Sequence, residues 1–124
     1  MKKIVIAAVL SAGAFSAMPA DAHHSFAMFD RASEKVLVNA TVKELQWTNP
    51  HTWLEVIVKN PDGTSVEWGL ECGPINSAKA HGWTKRSFNA GDKIPNIVIH
   101  PLKDGRAGGQ FVKATLPDGK VIEY

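Results

Sequence analysis

Five histidines hold most of the chemistry open to this chain, and the first two, His23 and His24, stand where an exported protein would begin. Residues 1–22 have the form of a secretory signal. Lys2 and Lys3 precede a small apolar run from 4 to 15, and Ala20-Asp21-Ala22 supplies the small–x–small pattern that a signal peptidase reads. Cleavage after Ala22 would leave His23 with a free α-amine. One residue would then offer two nitrogen donors, the amine and Nδ1, to a single metal ion. Nitrogen donors in a planar array suit Cu(II), which also tops the affinity order of the divalent first-row ions. Both donor types must lose a proton to bind, from reference values of about 7.7–8.0 for the amine and 6.5 for imidazole, so binding is expected to weaken below about pH 6. His51 and His100 are the other predicted donors. The predicted ligand set is thus His23, His24, His51 and His100, with copper as the cofactor.

The remaining reactive side chains point to quieter roles. His81, beside Gly82, reads as a residue at a helix C-terminus, where the dipole favours it. Cys72 is the only cysteine, so no internal disulfide can form, and a small buried residue on a strand is its expected role. Glu67 and Glu71 share one strand face and read as a solvent-facing pair. Ser25 and Ser87 lack the context of a nucleophile, and Gly105, Gly108 and Gly109 do not open a helix, which argues against a phosphate loop. No acid, base or nucleophile set is identifiable, so an enzyme is the less favoured reading. An alternative to metal binding is a module that holds a small ligand or a protein segment. Trp47 and Trp53 would serve it, since Trp53 falls out of phase with the apolar set of its strand.

These residues need a scaffold, and the pattern behind them is β. Val36, Val38, Ala40 and Val42 alternate with Leu37, Asn39, Thr41 and Lys43, which predicts a strand with the first set buried. Thr48-Asn49-Pro50 interrupts it. Residues 53–59 and 66–72 alternate in the same way about the turn Asn60-Pro61-Asp62-Gly63. Pro74 then opens a short helix over 75–80, with Trp83 beneath it. Strands over 94–99, 111–116 and 120–124 complete the chain. Three strands, a helix and two strands, with a short closing strand, is the element order of the OB-fold, a five-stranded Greek-key barrel with one short helix between strands 3 and 4. A β-sandwich is the alternative. The expected organisation is a signal peptide at 1–22, an N-terminal arm at 23–35 whose Phe26, Met28 and Phe29 pin it to the barrel, and a barrel domain at 36–124. In such a barrel the loops carrying His51 and beginning at His100 flank one binding face.

Charge and compartment narrow the partners. The whole chain has a formal net charge of +2, and removing the signal takes Lys2, Lys3 and Asp21 and leaves it near neutral. With no basic patch, nucleic acid is not an expected partner. The apolar run is shorter than the roughly 20 residues a spanning helix needs, so no stable membrane anchor is expected after cleavage. A short basic start and a short apolar run point to bacterial export, hence the periplasm or the exterior.

Several segments together carry a family likeness: His23-His24-Ser25-Phe26, Trp47-Thr48-Asn49-Pro50-His51-Thr52-Trp53, Gly82-Trp83, Gly91-Asp92 and Leu116-Pro117-Asp118-Gly119-Lys120. The chain resembles the small exported bacterial proteins grouped as domain of unknown function 6152. The resemblance implies a single exported, β-rich domain, and its pattern falls on His23, His24 and His51. The ligand arrangement separately resembles the histidine brace, in which an N-terminal histidine and a second imidazole hold copper.

Overall fold

Two Pro-Asp-Gly turns set the hairpins of the sheet. In the computed structural model, which describes residues 26–124, Asp62 accepts hydrogen bonds from the Thr64 amide (2.9 Å) and hydroxyl (2.6 Å), while Gly63 takes φ +86°. Those bonds hold the Asp62 carboxyl below its ordinary range. The turn joins β2 (Trp53–Lys59) to β3 (Ser65–Glu71) in antiparallel register, from Lys59 opposite Ser65 to Trp53 opposite Glu71. At the other turn Asp118 accepts from the Lys120 amide (2.9 Å), joining β5 (Gly108–Thr115) to β6 (Val121–Glu123).

The strand order is β3-β2-β1-β4-β5-β6, where β1 spans Lys35–Gln46 and β4 spans Lys93–Pro101. A parallel pairing of β3 with β5 closes the sheet into a five-stranded barrel, with β6 as an added strand on β5. The architecture is mainly β with one short helix, α1 (Ile75–Ala80). Closure of a single sheet replaces the two packed sheets of the sandwich alternative. Among the described residues no helix is long and apolar enough to cross a membrane. The proposed signal over 1–22 and the pair His23-His24 lie outside the described residues.

The predicted buried face of the first strand is half wrong. Val36 and Val38 are about half exposed (50% and 53%), whereas Leu37, Ala40 and Val42 are buried. The phase reverses at Asn39, which adopts φ +52°. Asparagine tolerates this left-handed region better than most residues. Val38 pairs with Asn96 and Ala40 with Ile94, so Asn39 faces Pro95. Proline has no N–H to lose where the ladder is disturbed. Burial on β4 skips in step, since Ile94, Ile97 and Ile99 are buried while Asn96 is exposed. A bulge between Val42 and Glu44 bends β1 again, a usual device for closing a barrel.

The interior holds Leu54, Val56, Leu70, Ile94, Ile97, Ile99, Phe111 and Ala114, and the segment from α1 to β4 adds Ala78, Trp83 and Phe88. Each large side chain buried there contributes roughly 1.5–3 kcal/mol. Trp83 packs edge-on to Phe88, Phe111 and Tyr124, with centroids 5.3, 5.0 and 5.6 Å away. Its indole N–H donates to the Glu123 carbonyl (2.8 Å), so this large buried ring leaves no polar atom unsatisfied. The 83–88 segment thereby ties the helix region to the last strand.

Candidate functional site

His51 sits in a loop that several cross-chain bonds hold in place. The Asn49-Pro50 peptide is cis, and the Thr48 hydroxyl donates to the His51 carbonyl (3.0 Å). Asn49 Oδ1 accepts from the Ile75 amide (3.0 Å), so the β1–β2 loop caps the first turn of α1. Thr52 is fully buried, and both its amide and its hydroxyl donate to the Gly73 carbonyl at 2.9 Å. The polar segment Thr48-Asn49-Pro50-His51-Thr52 thus works as a clasp between β1, β2 and the turn before α1.

The His51 ring faces Glu71, with Nδ1 2.7 Å from Oε1. Glu71 follows the inward Leu70 and therefore points outward from the barrel, yet only 9% of it is exposed. Its surroundings explain the burial. Glu71 lines a cavity of about 620 Å³ together with Phe26, Pro50, His51, Gln110, Phe111 and Tyr124. It also lines a smaller one of about 290 Å³ with Met28, Phe29, Trp53 and Leu102. The arm over 26–29 therefore lies against the seam where β3 meets β5. Backbone bonds lock it there, from the Asp30 amide to the Pro101 carbonyl (2.8 Å) and from the Lys103 amide to the Met28 carbonyl (3.0 Å). Of the three side chains expected to pin this arm only Phe29 is buried, while Phe26 and Met28 are exposed, so backbone bonds supply much of the anchoring.

The sheet register sets a row across the outer face: Trp53 opposite Glu71, Glu71 opposite Gln110, and Gln110 opposite His100. His100 is thus two strands from Glu71, about 10 Å at ordinary strand spacing. Its Nδ1 is 2.9 Å from the Ser33 carbonyl. It does not line the larger cavity. Trp53 lines the smaller cavity, while Trp47 is partly buried against the core and lines neither. The two tryptophans do not form one groove.

Cys72 is buried in the core, and burial pushes its thiol up to about 12. His81 caps α1, its Nδ1 2.9 Å from the Ser77 carbonyl, and stacks on Tyr124 with centroids 4.9 Å apart. Both match their expected structural roles. Among the described residues no group of three or more His, Cys, Asp or Glu side chains is placed to hold a metal ion.

Glu71 is the residue that the sequence reading misplaced. The strand pattern pairs it with Glu67 as solvent-facing, but only Glu67 is exposed, bridged to Lys43 at 2.6 Å. A signal was present. A hairpin about Asn60-Pro61-Asp62-Gly63 fixes Glu71 opposite Trp53, two residues from His51 in the same loop end.

The outer seam of the closed barrel thus carries a half-buried histidine beside a buried carboxylate, and both line the larger cavity. The family model for the family of unknown function DUF6152 matches residues 10–111, and the chain belongs to that family. No curated protein and no solved structure matches it.

Proposed function

We propose that the protein is exported to the periplasm or beyond and binds Cu(II) through its mature N-terminal residue and the β1–β2 loop. In this reading His23 supplies the amine and an imidazole, His51 a second imidazole, and His24 a further donor. The observation that carries it is the shared wall of the larger cavity, lined by both His51 and Phe26. Two residues, His24 and Ser25, separate Phe26 from His23, a span of at most about 11 Å in extended chain. The arm is bonded through Met28 and Asp30 to Lys103 and Pro101, which holds Phe26 near the wall that His51 shares. His100 has no part in this reading, because it does not line the cavity that His51 and Phe26 share. The strand order, with β1 shared between β2 and β4 and closure by β3 and β5, supports reading the barrel as an OB-fold.

The cavity favours a second reading, a module for a small organic ligand without metal. Its volume falls in the range of ligand sites, and Phe26, Phe111 and Tyr124 give it aromatic walls. One titration separates the two. Cu(II) is added to protein beginning at His23 and to a form with one extra residue ahead of it. A site built on the terminal amine binds at least about 100-fold more weakly in the extended form. Equal affinity in both forms rejects a site built on the amine and leaves one made of imidazoles alone, whereas no Cu(II) binding by either form leaves the second reading.

A further inference from the structure

Of the seam glycines Gly69, Gly108 and Gly109, packing requires the last two and not the first. A Cβ on Gly108 would come within 2.8 Å of Leu102, and one on Gly109 within 2.6 Å of the His100 carbonyl oxygen. A Cβ on Gly69 would meet nothing within 4 Å, and its φ lies outside the left-handed region. The register of β3 with β2 runs unbroken on both sides of it, so no bulge calls for glycine either. Glycine inside a strand weakens it, and without a bend or bulge it marks a place that a ligand or another backbone approaches. No described backbone comes that close, which leaves a ligand.

Trp53 lines the same cavity of about 290 Å³ as Gly69. The two adjoin, since Gly69 pairs with Glu55, two residues along β2 from Trp53. Trp83 is buried and Trp47 and Trp68 pack against the core, but Trp53 stands outside that cluster. Among the described residues its ring has no aromatic or cationic partner and its indole N–H no hydrogen bond. A tryptophan offers a flat apolar face and a polar edge, and here the chain uses neither.

We propose that this cavity binds one ring of a neutral, hydroxyl-rich sugar, stacked on Trp53 in the space that Gly69 leaves open. The site rests on neither reading of the larger cavity. The C–H face of a sugar ring is apolar and slightly positive, and it suits the negative face of an indole. Hydroxyl groups at the ring edge need acceptors and donors. Glu71 turns Oε1 to His51, and its second oxygen accepts no other bond among the described residues. Arg106 gives Nε to Asp104 (2.7 Å), which leaves its terminal N–H groups to donate. One acidic and one basic side chain on the same walls favour neither sign of charge in the ligand. The volume lies near the low end for ligand cavities, which suits a single ring. A nucleobase would also stack, but its phosphates ask for a cationic track. Arg106, already bridged to Asp104, is the only lysine or arginine lining this cavity.

The test titrates glucose, galactose and N-acetylglucosamine, each to about 100 mM so that millimolar binding is seen, into nitrogen-15-labelled protein without metal. At least one sugar is expected to shift the Trp53 indole N–H resonance while those of Trp47, Trp68 and Trp83 stay in place. Gly69→Val fills the open space, and an unchanged indole spectrum shows that its fold is kept. It is expected to weaken sugar binding at least about tenfold, as a side chain placed in ligand space does. Trp53→Phe keeps a smaller platform and retains weaker binding, whereas Trp53→Ala retains none, both read by calorimetry. The site is overturned when no sugar shifts Trp53, or when Gly69→Val binds like wild type. If the valine variant does not fold, wild-type affinity in Trp53→Ala overturns the site in its place. Uridine that shifts Trp53 where the sugars do not makes the cavity a base-stacking site and ends the sugar assignment. With no metal present, each outcome is independent of the copper reading.

Discussion

His51 and His100 are both held through Nδ1, and the difference lies in what holds them. His51 meets a buried carboxylate from another strand, while His100 meets the backbone carbonyl of Ser33. A neutral carbonyl orients a ring, whereas a carboxylate orients it and places charge beside it. The loops differ in the same way. The one with His51 is bonded to Ile75 and Gly73, more than 20 residues along the chain. In the β4–β5 loop, Asp104 accepts from the Arg106 amide (3.0 Å) and Nε (2.7 Å), two residues away, and these bonds lower its carboxyl below the usual range. The first loop is bonded to the turn before α1, while the second closes on itself at its Asp104–Arg106 tip and is bonded elsewhere to the arm and β3. Chemistry that needs a fixed ring belongs to the first.

The contrast is easiest to break at the two rings. His51→Ala is expected to weaken Cu(II) binding by at least about 100-fold and His100→Ala by less than about threefold, as read by titration of the His23-initiated protein. Comparable losses from both would erase the distinction.

Glycines in the two regions sharpen it in stability. A Cβ on Gly73 would run into the Tyr124 ring, with its Cζ at 2.6 Å and Cε1 at 2.9 Å, so Gly73→Ala must displace a side chain that packs on Trp83 and His81. A cost of about 1–3 kcal/mol is expected in chemical denaturation. Gly105 meets nothing within 4 Å but has φ +79°, so Gly105→Ala carries only the left-handed backbone penalty, about 1 kcal/mol. A larger loss at Gly105 than at Gly73 would contradict the picture of a crowded turn before α1 and an open tip on the β4–β5 loop.

The smallest effect concerns Cys72, which touches the His51 cavity without serving it in the proposed site. Cys72→Ala is expected to leave Cu(II) affinity unchanged, measured by the same titration. The folded thiol sits at about 12, above its ordinary 9.0, because burial disfavours the thiolate. Its contribution to stability is therefore fully present below pH 9 and is lost as pH rises toward 12, where the unfolded chain ionises first. Denaturation midpoints between pH 8 and 11 should fall, and Cys72→Ala should flatten that slope. Slow alkylation of the folded protein at pH 8, against rapid alkylation in denaturant, is the companion check.

The legibility of the chain follows the same division. The hairpin of β2 and β3 could be read directly, because alternating residues flank a turn whose chemistry is local to Pro61, Asp62 and Gly63. The face of β1 could not, since Asn39 reverses the phase opposite Pro95, a residue more than 50 positions away. His51 could be singled out by its type and its place after Pro50. Its partner was not, because Glu71 has the strand position of an exposed residue.

From the residues alone came the short-range facts: mainly β strands, their turns, one short helix, a family likeness and a set of nitrogen donors. Folding in three dimensions decided which outward carboxylate is covered, which histidine it holds, and which strand face is buried. Turn and strand preferences depend on neighbours a few residues apart, whereas the burial of Glu71 depends on β3, β5 and the arm over 26–29 meeting at one seam.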